Sequence, residues 1–203
     1  MNKPNINKII DISFSISDDI HQYNHYDNET IQNFTLHDHE FKNCLFENIV
    51  FEKTLFEQCY FMDIIFKNCD LSNIHMNASL LRRVHFINCK LLGTDFFESM
   101  FDDVLFKDCH CNYMSLYDMK NKTVHFENCS FQHASMINVN FKKTSFDECD
   151  FFQCEVLHSS FYHIDLSTCL LHHIITSPED IKGAIIQDYQ ASDLIHLLQI
   201  KVK

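Results

Sequence analysis

The sequence predicts an all-β solenoid wound in four-sided coils, and three regularities point to it. From Leu36 to Leu171 a large residue stands at every fifth position without a slip of frame, and only Asn121 in that series is polar. Sixteen of the twenty phenylalanines fall in this one class, so the apolar content follows a period of five, which matches neither helix nor strand. A slower period of twenty aligns Phe46, Phe66, Phe86, Phe106, Phe126 and Phe146, and likewise Cys69, Cys89, Cys109, Cys129, Cys149 and Cys169. Fixed periods of this kind mark stacked architectures. Four units of five close one coil, and about seven coils at roughly 4.8 Å each make a rod of roughly 34 Å.

The units Cys69-Asp70-Leu71-Ser72, Thr94-Asp95-Phe96, Cys149-Asp150-Phe151 and Ile164-Asp165-Leu166-Ser167 resemble those of the pentapeptide-repeat family. That family repeats a small residue, Asp or Asn, Leu or Phe, a polar residue and any residue. The resemblance implies a right-handed quadrilateral β-helix. Its Phe or Leu and the small residue two before it point inward, and the other three positions face water. The four walls are named below by their first core residue: Leu36, Phe41, Phe46 and Phe51.

The chain divides by its frame into residues 1–33, an N-terminal cap segment; 34–187, the repeat rod; and 188–203, a C-terminal helix and tail. In the first segment Ile10, Ile12, Phe14 and Ile16 alternate as a short strand does, and a cap is needed because an open β-helix end exposes unpaired backbone. Nine of the ten cysteines occupy the small inward position and Cys111 the large one, so they read as reduced core residues of a cytoplasmic protein rather than as disulfides or metal ligands. No apolar run approaches the roughly 18 residues that span a bilayer. Within the rod the weakest stretch runs from Cys111 to Thr123, and any bulge is expected near Asn121. Asn48, Asn68, Asn88 and Asn128, with Asp108 and Glu148, form a column suited to an amide ladder along one corner.

Beyond Leu171 the frame breaks, Ser177 to Asp180 reads as a turn, and Asp188 is placed to cap a helix over Tyr189 to Ile200. Its apolar residues exceed what one rod end covers, which assigns Tyr189, Leu194, Ile195, Leu197, Leu198 and Ile200 to a two-fold homodimer contact. The passages Asp180-Ile181-Lys182-Gly183 and Asp188-Tyr189-Gln190-Ala191-Ser192, followed by Leu194, resemble the C-terminal end of the Qnr quinolone-resistance subfamily. That resemblance implies two rods joined end to end. It also implies imitation of duplex DNA, binding to DNA gyrase or topoisomerase IV, and protection from fluoroquinolones. This chain lacks the loop insertions that matter for protection in the best-known members.

Charge is segregated around the rod. The Leu36 wall carries Asp38, Glu57, Asp95, Glu98, Asp118 and Glu155 with no Lys or Arg, and these six are the expected partner-binding residues. On the Phe41 wall Lys42, Arg82, Arg83, Lys120, Lys122, Lys142 and Lys143 outweigh four acids. An acidic rod cannot neutralise phosphates, which excludes direct nucleic-acid binding, but it can be steered into a basic DNA groove of another protein. Most of the fourteen histidines fall at outward or terminal positions, and no phosphate loop, nucleophile elbow or zinc-protease motif is present. The expectation is a non-enzyme without cofactor or metal. Two other readings stand beside the mimic: an interaction scaffold using the outward apolar column Phe97, Tyr117, Ile137 and Leu157, and a redox sensor using the cysteines.

Overall fold

The computed structural model describes residues 1–198. Parallel pairing with a constant offset of twenty runs from Ile20 against Glu40 to Asp165 against Ile185, a solenoid of about eight turns. From His21 to Phe161 every core position but Asn121 is followed two residues later by one with positive φ, which turns the corner. Asn28, Asn33, Asp38, Asn43, Asn48, Asn68 and Asn73 all have φ between 54° and 61°. Asn and Asp enter this left-handed region more readily than other side chains. Gly93 holds the position (φ +64°) where a Cβ would stand 2.7 Å from Asn73 Oδ1.

One broad sheet wraps the corner between the Phe41 and Phe46 walls. Its eight-residue strands Glu40–Glu47, Tyr60–Lys67, Leu80–Ile87 and Met100–Lys107 run through the positive-φ residues Asn43, Asp63, Arg83 and Asp103. On the Leu36 wall Ser115–Tyr117, Ser135–Ile137, Glu155–Leu157 and Ile175–Thr176 form a four-stranded sheet. Elsewhere on the sides, tight turns carry the chain, as where Thr94 N–H donates to Leu91 O (3.2 Å).

The core is a set of ladders. From Tyr26 through Phe46, Phe66, Phe86, Phe106 and Phe126 to Phe146 the rings stack with centroids 4.7 to 5.1 Å apart, which is the strand spacing itself. The small inward residues do more than fill space. Cys69, Cys89 and Cys109 point their thiols at the carbonyls of Phe46, Phe66 and Phe86 in the preceding coil (3.3 to 3.4 Å), and the hydroxyls of Thr94 and Ser99 do the same to Leu71 and Met76. Cys, Ser and Thr are therefore interchangeable here as short inward donors.

Two expectations about the start of the chain are revised, and one about the rod is met. The frame begins before residue 34: His21, Tyr26 and Ile31 are buried core residues, which adds a turn to the seven counted from sequence. Their signal is weak because His and Tyr replace Phe at the head of two ladders. Only Ile10–Asp11 of the proposed alternating strand pairs, and Ile10, Ile12 and Ile16 are exposed. Before it, the first residues lie along the wrapped corner, where Asn5 N–H donates to Asp63 (2.9 Å), Asn43 donates to Asn5 O (2.7 Å) and Asn2 donates to Asp103 (2.7 Å). The irregularity foreseen near Asn121 is present. Thr123 departs from the positive φ of its column, as expected of a β-branched residue, and Val104 N–H reaches Thr123 O while Val124 N–H reaches Lys143 O, one residue on from the regular pairing. The Asn121 amide is left buried without a partner on either atom.

The C-terminal end differs more. Pro178–Ile181 is a short helix capped by Ser177, where a turn is expected from sequence. The single helix predicted over Tyr189 to Ile200 is instead a 3-10 turn at Asp188–Gln190, one α turn at Ala191–Leu194 and a second 3-10 turn at Ile195–Leu198; Ile200 lies outside the described residues. Gln187, not Asp188, is the N-cap. Asp180 and Gln190 close the open ladder. The Asp180 carboxylate accepts His158 and Ser159 N–H (3.0 Å each), and Gln190 Nε2 donates to Leu166 O (2.9 Å) and Cys169 O (2.6 Å), standing in for the coil that does not follow.

Two measurements test this account. Phe106→Ala should cost about 3 to 5 kcal/mol in chemical denaturation, and Lys107→Ala next to it under about 0.5 kcal/mol; equal costs would contradict the inward and outward assignment. His21 lies stacked on Phe41 (4.5 Å), and burial, aided by His39, lowers its pKa to about 4. The unfolded chain binds that proton near pH 6.5. The stability His21 contributes is therefore complete above pH 6.5 and falls as pH drops toward 4, by about 3 kcal/mol. His21→Phe should remove this part of the acid sensitivity in melts at pH 7 and pH 4.5.

Candidate partner interface

The Leu36 wall presents its acids in two rows, because the repeat sets where each residue points. Asp38, Glu98 and Asp118 are corner residues with φ of 60°, 56° and 52°, at the edge toward the Phe41 wall. Asp95 and Glu155 begin their sides and lie at the opposite edge, and Glu57 lies between, on the strand Leu55–Glu57. Asp38, Glu57 and Glu98 are exposed; Asp95, Asp118 and Glu155 are half-buried. From the Phe56 coil to the Val156 coil, five steps at strand spacing span about 24 Å.

These acids are not equally available. Asp95 accepts Phe97 N–H (3.1 Å), the same turn bond that Asp70, Asp150 and Asp165 make two residues on, and its other oxygen is 3.4 Å from His75. Asp118 accepts the Asn138 amide (2.5 Å). Asp38 pairs with its neighbour His37 (2.8 Å). Glu57 and Glu98 make no ion pair among the described residues and are the most open carboxylates of the set. Asp95 thus serves the turn first, a role that the small-Asp-Phe unit already encodes.

The Phe41 wall is less basic than its composition. Arg83 forms a bidentate pair with the buried Asp63 (2.7 Å for each bond), and Arg82 and Lys122 both reach the buried Asp102 (3.0 and 3.3 Å). Burial alone would raise both carboxyls, but these cations hold them below the usual range. The exposed charges there without an ion pair among the described residues are Lys120, Lys142 and Lys143. The corner ladder expected from sequence forms, with Asn68 donating to Asn48 (3.2 Å), Asn88 to Asn68 (2.8 Å) and Asn128 to Asp108 (2.8 Å).

Beside the acids, Phe97 and Tyr117 stack at 5.7 Å with Tyr117 40% exposed, while Ile137 and Leu157 continue the column half-buried. At the C-terminal end Tyr189 and Leu198 are exposed, Ile195 and Leu197 half-buried, and Leu194 packs on the core. His172 pairs with Asp193 (2.8 Å) and His173 lies edge-on to Phe152.

All ten cysteines are free and buried. Burial pushes the Cys44 and Cys59 thiols up to about 11, and Cys89 and Cys154 are raised by the same cause. Hydrogen bonds with Cys89 and with Cys129 draw the Cys69 and Cys109 thiols the other way, but both are as buried as the rest, and a thiol without solvent access is inert as nucleophile and as metal ligand. The folded chain should therefore show no fast reaction with an aromatic disulfide reagent at pH 8, and ten thiols after denaturation. A rapid native reaction would restore the redox reading.

Residues 79–150 match the family model described as a pentapeptide repeat region. No curated protein matches the chain. Among solved structures, a trypsin-treated QnrB1, described as a plasmid-mediated fluoroquinolone resistance protein, is 19% identical with a TM-score of 0.54, over 90% of this chain and 99% of that one. A pentapeptide repeat protein of the Arabidopsis thaliana thylakoid lumen is 24% identical (TM-score 0.41; 43% of this chain, 61% of that one). HetL of the cyanobacterium Nostoc, described as involved in heterocyst differentiation regulation, is 14% identical (TM-score 0.33; 92% and 88%). The likeness to QnrB1, at this identity, is a likeness of fold. Among the described residues no helix is long and apolar enough to cross a membrane.

Proposed function

We propose that this four-sided β-solenoid, whose residues 79–150 match a pentapeptide repeat region, is a non-enzymatic interaction protein that imitates duplex DNA and binds a type II topoisomerase, DNA gyrase or topoisomerase IV, through its Leu36 wall. The observation that carries this reading is a wall of six carboxylates with no Lys or Arg, on a rod whose opposite charges are largely paired among themselves. Fixed negative charge at regular intervals on a stiff rod complements a basic DNA channel. QnrB1, whose description names fluoroquinolone resistance, shares the solenoid and supports protection from such drugs as the consequence of binding. The exposed Tyr189 and Leu198, beside Ile195 and Leu197, support a homodimer through the C-terminal end, which doubles the length of the rod. The partner places the protein in the cytoplasm.

The second reading is a scaffold whose contact strip is the stacked Phe97 and Tyr117. Competition with a labelled DNA duplex for purified gyrase separates the two. The mimic displaces DNA, does so less as salt rises, and loses at least tenfold in the double variant Glu57→Lys, Glu98→Lys, with Tyr117→Ala nearly neutral. Absence of displacement at low salt would discard the mimic, and a binding loss confined to Tyr117→Ala would favour the scaffold.

A further inference from the structure

The Phe46 wall carries, at its N-terminal end, a cluster that neither the rod nor the partner reading uses. His25 and Asp27 are two apart on the strand Asn24–Asp27 and so face the same way, and Glu47 lies alongside Asp27 in the next coil. One ligand atom from each lies within 4.8 Å of the others.

Each of the three is oriented from outside. His25 Nδ1 is 2.8 Å from Asp11 Oδ1 on the neighbouring strand, so Nδ1 carries the proton and Nε2 turns toward the acids. Glu47 Oε1 accepts from Lys67 (2.7 Å), which leaves Oε2 facing His25 Nε2 at 3.5 Å. Asp27 is held by Asn48 on one oxygen (3.0 Å) and Asn28 on the other (2.6 Å). His25 Nε2 is buried and has no hydrogen-bond partner. A bare ring nitrogen facing a carboxylate oxygen sets lone pair against lone pair, an arrangement that needs a positive charge between them. Two atoms each about 2.1 Å from one tetrahedral ion stand about 3.4 Å apart, close to the separation of this pair. An outer carboxylate on the far nitrogen is how protein imidazoles that bind metals are commonly fixed. Asp11, Asp27, Glu29 and Glu47 gather here, with the ammonium of Lys67 on Glu47.

We propose that His25, Asp27 and Glu47 form a binding site for a divalent cation of the zinc class, with Asp11 as the positioning residue. Mixed imidazole and carboxylate ligands suit zinc over calcium or magnesium. Through Asp11 and His25 the bound ion ties the capping strand to the first two coils, so its occupancy would strengthen that end of the rod. The proposal is independent of the topoisomerase reading, which concerns another wall.

Calorimetric titration of the full chain with zinc chloride at pH 7.5, in a buffer that does not bind metal, tests it. The expected result is one saturable site, weakened at least tenfold in His25→Ala and in the volume-conserving Glu47→Gln, about 10 to 100-fold in Asp11→Asn, and unchanged in His172→Ala. Zinc should also raise the melting temperature of the wild type and not that of Glu47→Gln. No saturable site, or one of equal affinity in wild type and Glu47→Gln, overturns the proposal.

Discussion

The rod depends on a residue with positive φ at nearly every corner, because that backbone state turns the chain after five residues and lets the coils stack in register. That backbone state repeats from Tyr23 to His163 and is missed at Thr123, where the hydrogen-bond pattern also shifts. Once the corner recurs at fixed spacing, the other ladders follow. Large side chains meet their equivalents at strand distance, and short inward donors find a carbonyl of the previous coil. Charged residues are sorted onto walls. The stability of the Phe column and the segregation of charge are two results of one geometric rule.

Much of this was legible in the sequence because periodicity survives substitution. Phe46 and Phe106 could be placed on one wall from their numbers alone, and the cysteines could be assigned inward without any contact in view. The corner rule was only partly visible. Asn48, Asn68, Asn88 and Asn128 suggested it on one edge, but Arg83, Glu98, Tyr113 and Lys143 adopt the same backbone state and carry no such signature. There the requirement is imposed by neighbouring coils rather than by local preference. The start of the rod was missed for a related reason: His21 and Tyr26 are polar by name and apolar by position.

The acidic wall shows how far composition reaches. Six carboxylates on one side could be counted, yet their availability could not, since it turns on bonds within the rod. Asp95 and Asp118 are partly spent on Phe97 N–H and on Asn138, whereas Glu57 and Glu98 remain open. The neighbouring Phe41 wall gives the mirror case: Arg82, Arg83 and Lys122 look like a cationic surface in the sequence and are engaged with Asp63 and Asp102 in space. The terminal segments resist reading most, because Asp180 and Gln190 are chosen by unpaired ladder groups that no repeat reveals.

The constant offset of twenty also makes the rod a modular scale. Excising twenty consecutive residues from its middle would shorten the tube by about 4.8 Å and leave every surviving carboxylate on its own side. Excising five would keep every core position inward while rotating all that follows by a quarter turn, so that the lysines of the downstream Phe41 wall would emerge in line with the acidic stripe. Length and azimuth are thus written in the same digits, and gain or loss of chain is neutral to the pattern only in whole circuits.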